Sequence, residues 1–350
     1  MTAKVEIATF PGWAALEQEW TALEAEAASP SVFQSWSWIG CLAEERFPDP
    51  ILLRAVAGGC VVGLALFNRR GRGLHLAESG DAALDAPFVE HNAPLVARHA
   101  PPGTEAALLR AAWRVPGIGR VVASGSPPSV AAAIGGRMTR QQERIAPYVD
   151  LAAIRNAEGN YLAGRSANTR QQVRRSLRHY GDATLARAGT ETQAQAWLDA
   201  LIALHEATWR RRGRAGAFAS PFLRRFHQAL VARTLARGQL DLLCVTAAGR
   251  AVGYLYNFRA GGRVFAYQSG LEHRPDEPQL KPGLTCHTLA IQAALASGMD
   301  VYDFLGGADR YKLSLATGTA CLCWTEHVPA ASLPGLVAMG RNWARSLLRR

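Results

Sequence analysis

Lysine is almost missing from this chain. Lys4, Lys281 and Lys312 are the only lysines among 39 basic residues, so the formal net charge of +11 is carried almost wholly by arginine. With abundant alanine and glycine, this usage reads as GC-rich coding. The surplus favours anionic partners such as phosphates, nucleic acid or a membrane surface, without choosing among them. Long apolar runs are missing too: no stretch of about 18 apolar residues is free of charge, and residues 51–67 contain Arg54 and a Gly-Gly break. The first twenty residues carry Glu6, Glu17 and Glu19, with neither a basic n-region nor an apolar h-region. No signal peptide is therefore expected, and the chain is expected to stay in the cytoplasm. The six cysteines lie among apolar neighbours and read as structural thiols. Only Cys321-Leu322-Cys323 is closely spaced, and C-x-C without a further ligand pair does not define a zinc site, so no metal is expected. G-x-S-x-G, H-E-x-x-H and the P-loop are all absent, which removes the commonest serine-hydrolase, zinc-protease and NTPase signatures. Cys286 and His287 are adjacent on a predicted helix, point about 100° apart, and make no dyad.

What is present is enough hydrophobic sequence, 49% of 350 residues, for two domains with real cores. A shift of 190 residues aligns 52–71 with 242–261 at eight identities: Leu52, Leu53, Ala57, Gly59, Val62, Gly63, Arg69 and Gly71. Each copy reads as a β-hairpin with glycine at the turn and a second glycine where backbone approaches backbone. Two Gly-turned hairpins share part of such a pattern by chemistry alone. The alternative is a duplication, with one half over 1–150 and the other over 151–330. The first half shows no counterpart to the Pro-Gly-led helix of the second, its region 80–102 reading as irregular.

Residues 264–315 are the densest in signals. Val264–Gly270 has strand composition. Pro282-Gly283 opens a helical run over Leu284–Ser297 that Gly298 closes, Val301–Leu305 is a short strand, and Gly306-Gly307 turns into Ala308–Ala316. Such a unit presents a helix N-terminus, with unpaired N–H groups and the positive end of the dipole, beside a strand end, where a phosphate can be held.

This order resembles the cofactor-binding core of the GNAT acyltransferases. The words Lys281-Pro-Gly-Leu-Thr-Cys-His287, Tyr302-Asp-Phe-Leu-Gly-Gly307 and Arg310-Tyr-Lys312 are similar to those of the tandem-GNAT, FemAB-like acyltransferases. That family includes cellulose-biosynthesis-type acetyltransferases, Fem peptidyltransferases and bacterial ceramide-forming N-acyltransferases. The resemblance runs over about residues 160–326, although the loop 279–283 is poorer in glycine than the usual pyrophosphate loop. It implies an α/β fold of two GNAT-like halves in tandem, each a mixed, mostly antiparallel twisted sheet flanked by helices. It also implies acyl-CoA, or an acyl carrier thioester, as co-substrate with no tightly bound cofactor. The implied acceptor is an amine of an envelope component, such as a long-chain amino lipid, or else an exopolysaccharide sugar. Some relatives accept an aminoacyl-tRNA or a nucleotide-sugar instead.

Candidate residues follow from both readings. Arg165, Arg170, Arg174, Arg175 and Arg178 crowd a predicted helix closed by Gly181, with Arg170, Arg174 and Arg178 in one stripe. That helix is either a solvated face or an anion clamp. Lys281 and Gly283, with Arg174 and Arg175, are the expected donor-phosphate contacts. His287 shares an inward face with Leu284 and Ile291, near a dipole end that disfavours its charge, so it is a candidate base or a satisfied core histidine. Asp303 sits in a run that reads as buried, where a carboxylate needs a reason. It is a catalytic candidate to orient a base or bind the acceptor amine, or else it caps or pairs with a nearby arginine. With Lys312 it is expected to serve function more than folding. Tyr311 and Lys312 are expected beside the substrate channel, as in relatives. In the first half, Glu78, Asp81, Asp85 and Glu90-His91-Asn92 form a polar cluster. There Glu90 with His91 is a candidate base pair, and Asp81 a candidate substrate contact. His205, at the edge of an apolar face with Leu201 and Trp209, is a further substrate-site candidate. The expected chemistry is direct attack of the amine on the thioester carbonyl, with strand N–H groups near Gln268–Gly270 holding the oxyanion.

Residues 331–350 read as a basic amphipathic helix, with Arg341, Arg345 and Arg349 apart from Leu336, Trp343 and Leu347. Such a helix either docks on the domain or lies in an anionic inner-membrane surface. Nucleic acid is not an expected partner of the enzyme. The rival reading is a non-catalytic tandem GNAT that grips an anionic polymer or tRNA.

Overall fold

The computed structural model describes residues 2–81 and 89–332. Asp85 and residues 333–350 of the expected tail helix lie outside the described residues. The chain divides into two compact units, 1–144 with 321–350, and 145–320. These are not the contiguous halves read from the sequence, because the last strand counts with the first unit.

In chain order the first unit contains β1 (Lys4–Ala8), α1 (Trp13–Glu26), α2 (Trp36–Arg46), β2 (Pro50–Ala57), β3 (Cys60–Arg70), β4 (Gly73–Leu76), β5 (Leu95–Val96), α3 (Thr104–Ala111), β6 (Arg120–Ser126) and α4 (Pro128–Ala133). Then β7 (Arg137–Asp150) leads into the second unit. There follow α5 (Leu151–Asn156), α6 (Ala167–Tyr180), β8 (Thr184–Arg187), α7 (Glu191–Arg211), α8 (Pro221–Ala236), β9 (Leu240–Ala247), β10 (Arg250–Ala260), β11 (Arg263–Leu271), α9 (Pro282–Ala296), β12 (Val301–Asp303) and α10 (Arg310–Leu315). The last strand, β13 (Gly318–Val328), carries the chain back.

The two units repeat one topology. The first runs β1-β2-β3-β4-β6-β13, the second β8-β9-β10-β11-β12-β7, and every neighbouring pair is antiparallel except β4/β6 and β11/β12. Each sixth strand comes from the part of the chain that follows the other unit's fifth strand. The repeat extends to a bulge. Ala55 pairs with Gly63 and Val56 with Val61, leaving Val62 extra, while Val245 pairs with Gly253 and Thr246 with Ala251, leaving Val252 extra. The 190-residue shift superposes these positions one on one, which settles the two-hairpin ambiguity in favour of duplication.

Gly63 and Gly253 show why glycine stands after each bulge. A Cβ on Gly63 would lie 2.9 Å from Leu108 Cδ1 of α3, and one on Gly253 would lie 2.7 Å from Leu271 Cδ2 and 3.3 Å from Cys286 Sγ of α9. Helix α3 follows Pro101-Pro102-Gly103, and α9 follows Lys281 and takes Pro282 and Gly283 into its first turn. The first half therefore does have a counterpart to the Pro-Gly helix, just beyond the region where the sequence reading looked for it. The two helix starts differ in charge. Glu105 stands in the first turn of α3, its carboxyl raised by burial, whereas Lys281 immediately precedes α9.

Local signals explain the helix ends. Ser166, Thr190 and Ser220 cap α6, α7 and α8 by accepting from the N–H three residues on, and Pro221 occupies the first turn of α8. Gly181, at φ 67°, ends α6. The core of the second unit joins Leu243, Val245, Leu255 and Val264 of the sheet to Val173 and Tyr180 of α6 and to Ala290, Ile291 and Ala294 of α9.

Candidate functional site

In the second unit β12 pairs with β11 only over Arg263–Phe265 and ends at Asp303, while β11 continues to Leu271. The two parallel strands part at that point. Beyond it, the Glu272 N–H bonds the Val252 carbonyl, so by antiparallel alternation Gly270 faces β10 and Ser269 faces off the ladder. The Ser269 carbonyl is taken there by His205 Nδ1 at 3.1 Å. Of the strand N–H groups expected near Gln268–Gly270, the alternation leaves that of Ser269 free of β10.

His205 is fully engaged. Its Nδ1 bonds Ser269, its Nε2 accepts from the Ala217 N–H at 3.2 Å, and burial lowers its pKa. It ties α7 to β11 and to the loop before α8, and in this arrangement it offers no free nitrogen to a substrate.

The start of α9 leaves helix donors without a side-chain cap. Pro282 brings no N–H, and the N–H groups of Gly283 and Leu284 have no partner within the helix by geometry. The Lys281 N–H donates to Ser176 Oγ at 2.9 Å, and the same oxygen lies 2.8 Å from Thr285 Oγ1. Ser176 belongs to α6, whose buried face is Thr169, Val173, Ser176 and Tyr180. The basic helix is thereby pinned to the Pro-Gly helix start, with Arg174, Arg175, Arg178 and Lys281 exposed. Arg170 leaves the expected stripe, since its guanidinium donates to the carbonyls of Ala163 and Arg165. Arg165 likewise bonds the carbonyls of Leu315 and Ala316. Ser176 went unread in the sequence, although its spacing of seven from Thr169 and three from Val173 marks it as inward-facing.

His287, 3% exposed, lies in a box of aromatic rings. Its ring stacks on Tyr311 at 5.4 Å and 24°, and meets Phe304 edge-on at 5.3 Å. Nδ1 is 2.9 Å from the Tyr302 hydroxyl, and Nε2 is buried with no hydrogen-bond partner among the described residues. Burial, with the Lys312 charge second, lowers the imidazole pKa to about 3, so the ring is neutral as expected. Its neighbour Cys286 is buried and its thiol is pushed far up by desolvation, which leaves it inert.

Asp303 and Lys312 hold the turn between them. Asp303, 1% exposed, accepts from Arg263 Nη1 at 2.8 Å and from the Leu305 N–H at 2.8 Å. Lys312 Nζ donates to the carbonyls of Phe304 at 2.8 Å and Gly306 at 3.2 Å. The turn needs such support, because Leu305 sits at φ 60° and Gly307 at φ 122°.

The remaining candidates lie in the first unit. Asp81 pairs with Arg46 at 3.5 Å and Arg70 at 4.0 Å. Glu90 and His91 are half-buried, and the His91 carbonyl accepts from Ser31 Oγ at 3.1 Å. Gly125, at φ 62°, admits this segment, since a Cβ there would lie 2.1 Å from the Val89 carbonyl oxygen. His75, close by Gly80, has its pKa lowered to about 4 by burial, with Arg120 and Arg70 adding to it. A cavity of about 540 Å³ in this unit, lined by Arg72, Arg120, Thr139 and Glu326 among others, contains none of the expected residues. The expected residues therefore fall into two groups, His287, Asp303, Tyr311, Lys312, Lys281, Gly283, Arg174, Arg175 and His205 in one unit, and Asp81, Glu90 and His91 in the other.

Residues 167–313 match the acetyltransferase (GNAT) domain family. No curated protein sequence matches the chain. Among solved structures, FemX is similar at a TM-score of 0.62 and 12% identity, over 96% of this chain and 100% of that one. The C-terminal domain of a putative lysylphosphatidylglycerol synthetase from Agrobacterium fabrum is similar at 0.56 and 14%, over 94% and 97%. L-PGS from Bacillus licheniformis is similar at 0.53 and 13%, over 93% and 96%. At these identities the likeness is one of fold.

Proposed function

We propose that the chain is a tandem-GNAT, FemAB-like acyltransferase that moves an acyl group from acyl-CoA, or another acyl thioester, to an amine of an envelope component. The observation that carries this reading is the Ser176 hydroxyl, which joins the open N-terminus of α9 to the arginine-rich α6. Helix N–H groups with guanidinium and ammonium groups nearby suit a pyrophosphate. Lys281, Gly283, Arg174 and Arg175 are the contacts in this reading. No cofactor needs to stay bound, because the thioester arrives already activated.

The amine nitrogen attacks the thioester carbonyl carbon, the C–S electron pair leaves with sulfur, and the nitrogen gives up a proton. The Ser269 N–H, turned off the ladder where β11 and β12 part, is the donor for the oxyanion. A ring with a pKa of about 3 accepts a hydrogen bond but does not store a proton at neutral pH. The departing thiolate therefore takes the proton, and His287 acts by holding Tyr311 in place. Asp303 and Lys312 act through the turn they brace, which places Tyr311 against His287. Glu90, His91 and Asp81 are the acceptor-side candidates of the first unit.

A lipid amine is preferred to an exopolysaccharide sugar because one fold neighbour bears the name of a lipid-modifying synthetase. No helix among the described residues is long and apolar enough to cross a membrane. Peripheral attachment at an anionic inner-membrane surface is the matching location for a cytoplasmic enzyme with a lipid acceptor.

The test is a thiol-release assay with purified chain, palmitoyl-CoA or acetyl-CoA, and a panel of long-chain amines and amino sugars. Amine-dependent CoA release with formation of the amide is the expected result. Release with sugars alone would move the acceptor to exopolysaccharide. No release, together with RNA binding that falls steeply with salt, would support the non-catalytic binder that the +11 charge also permits.

A further inference from the structure

The first unit holds a group of ligating side chains that acyl transfer does not use. Alternation along β13 turns Cys321 and Cys323 to one face. Glu143, on β7, meets them there, and a carboxylate oxygen and the two Sγ atoms all lie within 4.8 Å of one another. C-x-C spacing gave no third ligand, and the one found lies far earlier in the chain. Gln141 Nε2 donates to Glu143 Oε1 at 2.7 Å, and Gln141 also bonds the Cys323 thiol, so one amide holds the carboxylate beside the sulfur. Each next residue, Arg144 and Trp324, points to the opposite face, where the guanidinium stacks 4.5 Å from the indole. That positive charge is turned away from the cluster. Cys323 is buried, Cys321 half-buried and Glu143 exposed, which leaves an approach from the carboxylate side.

We propose that Glu143, Cys321 and Cys323 form a binding site for a thiophilic divalent cation of the zinc class. Two thiolates exclude magnesium and calcium, which take oxygen ligands, and select zinc or cadmium. Zinc–sulfur bonds of about 2.3 Å and zinc–oxygen bonds of about 2.0–2.2 Å bring three ligands to three corners of a tetrahedron after closure of a few tenths of an ångström to about 1 Å. Solvent takes the fourth corner on the exposed side. On binding, each S–H bond gives its proton to water as a metal–sulfur bond forms, so two protons leave per ion and the carboxylate binds already ionised. The loaded site carries one net negative charge in a chain of net +11. Because two thiol protons must leave, binding tightens as pH rises. The ion cross-links β7 to β13 and stabilises the folded chain by mass action.

The experiment uses the full chain, reduced and stripped with chelator, titrated with cadmium and then with zinc in competition. The readouts are the ultraviolet thiolate-to-cadmium charge-transfer band and the melting temperature. One ion per chain is expected, with proton release near two and a rise in melting temperature. Cys321→Ser and Cys323→Ser should abolish the band, Glu143→Gln should weaken binding ten-fold or more, and Cys60→Ser, which removes an exposed thiol outside the cluster, should change nothing. If Cys323→Ser fails to fold, the exposed Glu143 carries the test. Binding that survives in Glu143→Gln at full strength, or a band that disappears only in Cys60→Ser, overturns the site, as does the absence of a one-to-one complex.

Discussion

Ser176 Oγ and Thr285 Oγ1 lie 2.8 Å apart, both fully buried, and join the basic helix to the start of the Pro-Gly helix. Ser176→Ala leaves the Lys281 N–H without that acceptor. The expected cost is about 1–2 kcal/mol of stability. It should come with a several-fold loss of CoA affinity by calorimetry and loss of amide protection by CoA over residues 281–286. A destabilised variant that binds CoA as tightly as the parent would show the hydroxyl to be a packing link only, and the donor site would have to move.

Arg174→Ala with Arg175→Ala tests the same site without touching the core, since both side chains are exposed. The melting temperature should stay within a few degrees. The KM for acyl-CoA should rise five-fold or more and become less sensitive to salt. An unchanged KM assigns these arginines to solvent.

Asp303 and Lys312 carried an expectation of function more than folding, and their contacts show a structural share as well. Asp303→Ala removes a charged acceptor from Arg263 and from the Leu305 N–H. Because Arg263 is 36% exposed and can be rehydrated, the loss should be about 1–3 kcal/mol, below that of a fully buried pair. Lys312→Met should destabilise to a similar degree. Urea unfolding compared with kcat separates the two roles: a fall in kcat well beyond ten-fold at temperatures where both variants remain folded would restore a direct part in the reaction.

His287 predicts a pH dependence with a definite sign. Its folded pKa is depressed from 6.5 to about 3, so between those values the unfolded chain binds the extra proton. Its contribution is present in full above about pH 6.5 and is lost as pH falls toward 3. The stability gap between the parent and His287→Leu should therefore narrow from pH 7 to pH 5, as measured by urea unfolding. The His287 imidazole should show no NMR titration above pH 5. A midpoint near 6.5 would mean that the ring is not held neutral by burial.

Gly270→Ala should be among the most damaging glycine changes. A Cβ there would lie 2.4 Å from the Leu201 carbonyl oxygen and 2.8 Å from Leu201 Cα, which are backbone atoms of α7. A loss of about 1–3 kcal/mol or more is expected. Gly164→Ala, with open space at its Cβ and no positive φ, should be neutral. Equal melting temperatures for the two variants would contradict the close packing of α7 on β11.

Local order in the chain was enough for several elements. Strand composition in 264–270, the Pro-Gly start of α9, its Gly298 stop and the Gly181 end of α6 are short-range signals, and each element formed within a few residues of its expected place. The duplication was legible because the bulge valine and the glycine after it recur at one spacing, a local constraint copied twice. The neutrality of His287 was expected from the dipole at the start of its helix, whereas in the fold burial is its main cause. Contacts between residues far apart in sequence were beyond such signals. That Ser176 would cap the approach to Lys281, that both nitrogens of His205 would be taken by Ser269 and Ala217, and that Glu143 would meet Cys321 and Cys323 depended on how strands and helices pack in three dimensions. So did the exchange of the sixth strands, which moved 321–328 into the first unit. Hydrophobic periodicity and turn chemistry act over a few residues, whereas pairing partners and the fate of a buried polar atom are decided by which surfaces close over it.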